Sequence, residues 1–268
     1  MIDYLKSDCK NCFGLCCVAL PYAKSADFPI NKDGGEPCRN LCSDFRCKIH
    51  NQLRDKGFRG CVSYECFGAG QHVSQSIYNG VDWRNNSERA NEMFEVFPVV
   101  QQLHEMLWYL NQALSLQETQ SFHISLQDMY KETLKLTQKK PEDILKLDII
   151  AHRGKVNSLL LKASEMYRKD FTKGSKRIKK GQDYVGENLK GADLQGASFR
   201  GTLMIAANLS HADLRTADFI GADLRDADLS NANLTEAIFL TQSQLNSTKG
   251  NVHTRIPHYL KRPNHWIK

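Results

Sequence analysis

The fold is decided by residues 188–240, which read NLKGA DLQGA SFRGT LMIAA NLSHA DLRTA DFIGA DLRDA DLSNA NLTEA IFL. A large apolar residue recurs at every fifth position, and a small residue stands two positions before each one from 194 onward. The large residues are Leu189, Leu194, Phe199, Met204, Leu209, Leu214, Phe219, Leu224, Leu229, Leu234 and Phe239, and the small ones are Ala192, Ala197, Thr202, Ala207, Ala212, Ala217, Ala222, Ala227, Ala232 and Ala237. A period of five fits neither the helix nor the strand. It predicts a solenoid in which both kinds of side chain point inward.

The residue before most of the large ones is Asp or Asn, whose short side chain can bond the backbone at each corner. This pattern resembles that of the pentapeptide-repeat proteins. The resemblance implies a right-handed, four-sided β-helix for residues 181–240, with one pentapeptide on each side and about three coils. At the usual strand spacing, three coils stand about 15 Å tall. In this register Phe219 and Leu224 face the interior.

Residues 1–72 contain all nine cysteines of the chain and are rich in loop-forming residues. The cysteines follow the spacing Cys9-x2-Cys12-x3-Cys16-Cys17, Cys38-x3-Cys42, Cys47 and Cys61-x4-Cys66. The N-terminus does not read as a secretory signal, so we expect a cytoplasmic protein whose thiols stay reduced. Clustered thiols in a reducing compartment favour metal binding over disulfides. The adjacent pair Cys16 and Cys17 is expected to serve two different metals, or one of the two to bridge.

The cysteine order is similar to that of the CxxCxxxCC cysteine-cluster family, whose members are regarded as zinc- or iron-chelating proteins. The resemblance covers about the first quarter of the chain and implies two four-sulfur sites, holding zinc or an iron or iron–sulfur centre. The ligands it selects are Cys9, Cys12, Cys16, Cys17, Cys38, Cys47, Cys61 and Cys66. Cys42 is extra to the pattern and is expected to be a free buried thiol. His50 has a spacing compatible with a ligand, but we interpret it as a surface or capping histidine.

Residues 73–167 predict a helical bundle, because apolar residues recur at spacings of three and four. A helix starts near Ser87, Pro98 suits a first helical turn, and Pro141 marks another start. No nucleotide-binding or hydrolase motif occurs in the chain, so the sequence leaves open whether the protein is an enzyme. Residues 168–180 carry seven basic groups and one acidic group, and we interpret them as a basic linker. The tail, 241–268, is expected to cap the solenoid through Ile256, Leu260 and Trp266.

The charge distribution narrows the functional classes. The chain carries a net charge of +6, yet residues 181–240 hold 4 basic and 9 acidic groups. No apolar run is long enough for a membrane span, and we expect a protein partner rather than a nucleic acid. The leading hypothesis is a metal-binding scaffold or adaptor, with a multi-domain fold. One alternative is an iron–sulfur or iron-dependent enzyme or redox sensor built on the cysteines. Another is a DNA-mimic modulator of DNA gyrase, for which so short a rod offers little charge.

Overall fold

The computed structural model describes residues 3–171, 178 and 183–267. The chain divides into two compact units, Met1–Ser115 with Phe122–Leu160, and Leu116–Ser121 with Leu161–Lys268. Most of the predicted basic linker, at 172–177, 179 and 180, lies outside the described residues.

The helices are short in the cysteine-rich segment, and the three long helices lie between residues 87 and 168. The α-helices are α1 Leu15–Val18, α2 Arg59–Val62, α3 Ala69–Gln71, α4 Ser87–Ser115, α5 His123–Thr137, α6 Pro141–Ile144, α7 Ile149–Arg168 and α8 Gln242–Ser247. Short 3₁₀ turns occur at Asp3–Leu5, Cys9–Asn11, His50–Gln52, Gln117–Phe122 and Asn264–Trp266, and a π-helical turn at His72–Ile77. Among the described helices, none combines the length and the apolar character needed to cross a membrane.

Helix α4 starts at Ser87, as the sequence predicts, but Pro98 lies inside it. The expectation of a first-turn proline is therefore wrong. A proline inside a helix removes one backbone hydrogen bond and disfavours the helix by about 3 kcal/mol. The buried stripe runs unbroken across it, because Met93, Phe97 and Val100 are all at most 1% exposed. This shared burial outweighs the local penalty.

The cysteine-rich segment does not fold apart from the helices. Leu15 and Val18 of α1 share one buried core with Phe97 and Val100 of α4. Helix α4 thus supplies apolar support to the cysteine-rich segment. Cys12, Cys16 and Cys66 pack against the same core. The sulfur-bearing loops therefore rest on a platform formed by α1 and α4.

The repeats form a coil with four sides. Residues 188–238 pair through isolated parallel bridges, each joining one residue to another twenty positions later, as in Asn188 to Asn208. Twenty residues are four pentapeptides, so one turn of the coil takes four repeats. The described residues contain isolated bridges rather than extended strands, which is less β-structure than the predicted β-helix implies.

The bridges stay isolated because each repeat has one residue in the left-handed backbone region, which turns the chain after every five residues. The residues with positive φ are Gly186, Gly191, Gly196, Gly201, Ala206, His211, Thr216, Gly221, Asp226, Asn231 and Glu236.

The interior of the coil confirms the predicted register. The large and small residues of the repeats all belong to one buried cluster, apart from Thr202 and Phe239, which are themselves 4% and 0% exposed. Phe199 and Phe219, one coil apart, stack with their ring centroids 5.1 Å apart. The predicted corner bonds form as well. Side-chain oxygens of the corner Asp and Asn accept the N–H two residues on, at Asn188, Asp193, Asn208, Asp213, Asp218, Asp223, Asp228 and Asn233.

The tail continues the coil before it closes it. Lys249 bridges to Asp228 and Arg255 bridges to Asn233, so the last coil is completed by residues without the repeat pattern. Leu260 and Trp266 then join the buried cluster, with Ile256 packed against it. The three residues expected to cap the solenoid therefore do contact its core.

One corner residue of the coil, Asp218, forms a buried ion pair. The Asp218 side chain is 0% exposed and lies 3.1 Å from the Arg200 guanidinium, whose side chain is 17% exposed. Ser164, on the C-terminal part of α7, donates to the same carboxylate at 2.6 Å. Arg168 donates to Ser164 at 2.9 Å and to the Gly196 carbonyl at 2.9 Å. The end of α7 is thereby fixed to one side of the coil.

Candidate metal centre

Four cysteines, set A (Cys9, Cys12, Cys16 and Cys66), come from three turns at the edge of the helical core. Cys9 opens the turn Cys9–Asn11, Cys16 lies on α1 and Cys66 comes shortly before α3. Burial raises the pKa of Cys9 to about 11, and negative charge on Cys66 and Cys12 adds to this. Charge on Cys17 also raises the pKa of Cys9, and charge on Cys12 and Cys66 raises that of Cys16.

Gly70 on α3 lies beside two sulfurs of set A. A Cβ added to this glycine would lie 2.7 Å from Cys12 Sγ and 3.8 Å from Cys66 Sγ. The two sulfurs thus flank one residue that has no side chain. A larger residue at position 70 would push into Cys12.

The other four predicted ligands, set B (Cys17, Cys38, Cys47 and Cys61), gather separately. The Cys38 N–H donates to the Cys17 carbonyl at 2.9 Å. Burial raises the pKa of Cys61 to about 12, followed by the charges of Cys17, Cys38 and Cys47. Burial likewise raises the pKa of Cys47, on which Cys17 and Cys38 also act.

Cys16 and Cys17 stand at the division between the sets. Their sulfurs are 4.0 Å apart. A hydrogen bond between them raises the pKa of Cys16 and lowers that of Cys17, because one proton stays on Cys16 while Cys17 accepts it. Negative charge on Cys12 and Cys66 raises the pKa of Cys16, whereas negative charge on Cys17 raises the pKa values of Cys47 and Cys61. Cys17 also acts on Cys9, after Cys66 and Cys12.

Backbone N–H groups point at sulfurs of both sets. Such bonds favour the thiolate over the thiol, and the thiolate is the form that binds a metal. Donation from the backbone lowers the pKa of three thiols against the larger effect of burial. The donors are Gly14 and Leu15 to Cys12, Gly68 and Gly70 to Cys66, and Ile49 to Cys47, and the Asn40 N–H reaches Cys38 Sγ at 3.5 Å.

A buried lysine accompanies set B. Lys32 is 7% exposed, and its ammonium donates to the carbonyls of Val18, Asp33 and Glu36 at 3.0, 2.8 and 2.9 Å. Burial lowers the pKa of Lys32, and negative charge on Cys38 and Cys17 opposes that shift. A fixed positive charge beside set B stabilises thiolates there.

Each set also has a tyrosine. The Tyr22 hydroxyl donates to Cys38 Sγ of set B at 3.3 Å. Tyr64 packs against the same core as Cys12, Cys16 and Cys66, and burial raises its pKa, with further contributions from those thiols. Sequence reasoning missed Lys32, Tyr22 and Tyr64. Tyr64 gave one signal, since it stands two residues before Cys66; the other two carry none.

The two less favoured ligands are Cys42 and His50. Cys42 lies in a loop whose carbonyl accepts the Arg84 guanidinium at 3.0 Å, and it acts electrostatically on Cys47. It is partly exposed rather than buried. His50 is exposed, and its N–H donates to the Cys47 carbonyl at 3.2 Å.

The donors fit two thiolate sites in number and kind, although not yet in position. All nine cysteines are free. Within the part of the chain that the structure describes, no three Cys, His, Asp or Glu side chains form a group that could hold a metal ion as they stand. Metal binding therefore stays a prediction.

Comparison with known proteins identifies the class of the coil. The family described as Pentapeptide repeats matches the chain in 8 copies, at residues 188–219, 204–239 and 214–246. Residues 188–246 therefore contain pentapeptide repeats, as the five-residue period predicts. The resemblance of the cysteine segment stays a prediction, since these matches lie outside it.

The likeness to one relative extends beyond the repeats. The chain is 60% identical over 264 residues to the uncharacterized protein YybG of Bacillus subtilis (strain 168), covering 98% of this chain and 95% of the relative. The chain belongs to the same family as YybG.

Proposed function

We propose that the protein is a metal-binding scaffold, in which set A and set B each hold one zinc or iron ion through four thiolates. The single observation that carries this is that cysteines distant in sequence come together: the sulfurs of Cys12 and Cys66 both lie beside Gly70, and the Cys38 N–H donates to the Cys17 carbonyl at 2.9 Å. Four-thiolate sites without an open position are structural. The metals would join the loops of residues 9–66 to the platform of α1 and α4.

The electrostatics favour neutral thiols at most of these cysteines when no ion is bound, and nearby donors offset that preference in part. Without an ion, burial raises the pKa of most of these cysteines, yet N–H donors and Lys32 oppose it. A divalent ion resolves this conflict, because its charge deprotonates the thiols that coordinate it. Backbone N–H groups that point at a sulfur stabilise the thiolate relative to the neutral thiol.

The coil supports the scaffold role. It presents four sides of short turns on a core that is fully buried, and one side is already used to hold α7 through Asp218. The remaining sides would bind a protein partner, whose identity the chain does not specify.

The two alternatives have less support. A catalytic metal site needs an open coordination position, and four thiolates around one ion leave none. An iron–sulfur electron-transfer centre is itself held by four cysteines, so the identity of the metal separates that alternative from a structural zinc site. A DNA mimic needs free acidic charge, but Asp213 and Asp223 pair with the neighbouring Arg215 and Arg225 at 2.6 Å, and Asp218 is buried.

The proposal is tested by elemental analysis and a visible spectrum of protein purified without oxygen. Two equivalents of zinc in colourless protein support structural sites. A brown protein with iron and sulfide supports the redox alternative instead. Loss of supercoiling activity of DNA gyrase at micromolar protein would support the DNA mimic. Less than half an equivalent of any metal contradicts the proposal.

A further inference from the structure

Leu203 departs from the pattern of the repeats. It stands at the corner position that most repeats fill with Asp or Asn, whose side-chain oxygen accepts the N–H two residues on, as in Asn208 and Asp223. Leucine has no oxygen to accept this bond. The Leu203 side chain is also 41% exposed, so burial does not compensate for the missing bond. A residue that breaks a local pattern without a gain to the fold is expected to serve a function.

Leu203 belongs to an apolar patch on one side of the coil. The Tyr184 N–H donates to the Leu203 carbonyl at 2.7 Å, and the Gly186 N–H donates to the Ile205 carbonyl at 2.8 Å. Val185 therefore lies beside Leu203 and Ile205, one coil away. Val185 is 56% exposed, and the other outward residues of this patch are partly or fully exposed. The side patch is defined as Val185, Leu203, Ile205 and Ala206.

Charged residues border the side patch. The Leu203 N–H donates to the Asp183 carboxylate at 3.3 Å, and Leu203 bridges to Asp223, so it lies between two acidic corner residues. Arg225 and Asp226 follow Asp223 on the same side of the coil, and Arg225 pairs with Asp223 at 2.6 Å. Three acidic groups and one basic group give this border a net charge of −2. The patch is therefore apolar in the middle and acidic around it.

Another side of the coil shows how such a surface is covered. Ile238 is the other apolar corner residue of the repeats, but it is only 5% exposed. It bridges to Asp218, and Ser164 of α7 donates to the Asp218 carboxylate at 2.6 Å. The last turn of α7 carries the basic residue Arg168. The second apolar corner thus lies next to an acidic residue that binds a helix with a basic end.

We propose that the side patch is a docking surface for an amphipathic helix of a partner protein, with an apolar stripe bordered by Lys or Arg. The stripe would cover Leu203 and Val185, in the way that an apolar helix face fills a groove. The basic side chains would meet the acidic border, because complementary charge across an interface selects the partner. The inference rests on the scaffold role proposed for the coil, but it does not require a metal in set A or set B.

The experiment is methyl NMR of the full-length protein, titrated with a synthetic amphipathic helix that carries a leucine stripe bordered by lysines. The methyl signals of Val185, Leu203 and Ile205 should shift. The affinity should fall as salt is added, because salt screens exposed charges. A matched peptide with glutamates in place of the lysines should bind about 10-fold more weakly, since like charges across an interface repel.

Leu203→Asn separates docking from folding. Asparagine can restore the corner bond, as Asn208 shows, so the variant should unfold at the same urea concentration as wild type or a higher one. The same variant should bind the lysine peptide about 10-fold more weakly, because the burial of one leucine side chain is lost. Val252→Asn is the matched control, since Val252 is 51% exposed but lies in the tail, outside the side patch. It should leave the affinity unchanged.

The outcomes test the surface apart from the rest of the proposed function. The proposal is overturned if no methyl signal shifts, if the two peptides bind equally, or if Leu203→Asn binds as tightly as wild type. Shifts confined to another side of the coil would keep the scaffold role and show that the side patch is the wrong surface. Wild-type dimers in sedimentation velocity that Leu203→Asn abolishes would assign the patch to a second copy of the chain, and would also overturn the proposal. Elemental analysis of the same sample decides the metal sites independently.

Discussion

Replacing Asp218 by Asn isolates the buried ion pair that fixes α7 to the coil. The amide keeps the size of the side chain and the corner bond to the Ile220 N–H, which the carboxylate accepts at 2.9 Å. The coil tolerates Asn at the equivalent corner, as Asn208 shows with its bond to Ser210 at 3.1 Å. The change therefore removes the charge together with the oxygen that accepts from Ser164 at 2.6 Å and from Arg200 at 3.1 Å.

The magnitude follows from burial. With the carboxylate neutralised, Arg200 keeps its charge while its side chain is 17% exposed. Leaving one partner of a buried pair uncompensated costs about 3–5 kcal/mol, and we expect about 3 kcal/mol because the amide oxygen still accepts a hydrogen bond. Asp213→Asn is the matched control, since that pair has side chains 32% and 44% exposed. Exposed pairs contribute about 0–1 kcal/mol.

The assay is urea unfolding followed by circular dichroism, with the three proteins compared at equal slope. The expected order of unfolding free energy is wild type, then Asp213→Asn slightly lower, then Asp218→Asn clearly lowest. If Asp218→Asn and Asp213→Asn agree within about 0.5 kcal/mol, which is the usual size of a surface effect, the reasoning from burial is refuted.

Three further predictions concern the repeats and the thiols. Ala206→Gly should stabilise the coil by about 1 kcal/mol in the same urea assay, because Ala206 is exposed and has φ of 56°. Its neighbour Ala207, fully buried, should lose stability on the same change, and a gain at both positions would contradict the strain argument. Phe219→Asp buries an unpaired charge at a position 0% exposed, so it should abolish the dichroism of the coil, and a native spectrum would show the register to be wrong. In metal-free protein, burial raises the pKa of Cys9 to about 11 and that of Cys61 to about 12. The two thiols contribute fully to the free energy of unfolding while they are neutral in the unfolded chain as well, below about pH 8.5, the ordinary cysteine pKa. That contribution should fall as the pH rises from about 8.5 toward about 11 and 12. Thermal melts from pH 7 to 11 test this, and a melting temperature that rises with pH would contradict it.

The coil was readable from the sequence because its period is local. One large and one small residue per five positions set the register of Phe219 and Leu224 without any long-range information. The reading ended at Phe239, since Lys249 and Arg255 bridge at offsets of 21 and 22 residues and break the period. Completion of the last coil by the tail depends on that irregular pairing.

The number of cysteine ligands could be predicted at the level of the sequence, but the other residues that contact those cysteines could not. The family resemblance implied eight ligands, and the adjacent Cys16 and Cys17 were expected to serve two metals or one of them to bridge; both stay predictions. Lys32 and Tyr22 carry no local signal, because their contacts with the segment are made only in the folded chain. Pro98 was misplaced for the same reason: the core that holds α4 together across it includes residues 15–18, far away in sequence.

Native mass spectrometry of Cys16→Ser and Cys17→Ser addresses the thiol sets most directly. Each variant, expressed with zinc and kept reduced, should lose one ion and retain the other, because the two neighbours serve different centres. Wild type should carry two. Both ions lost from either variant, or none present in any of the three proteins, would contradict the two-centre account.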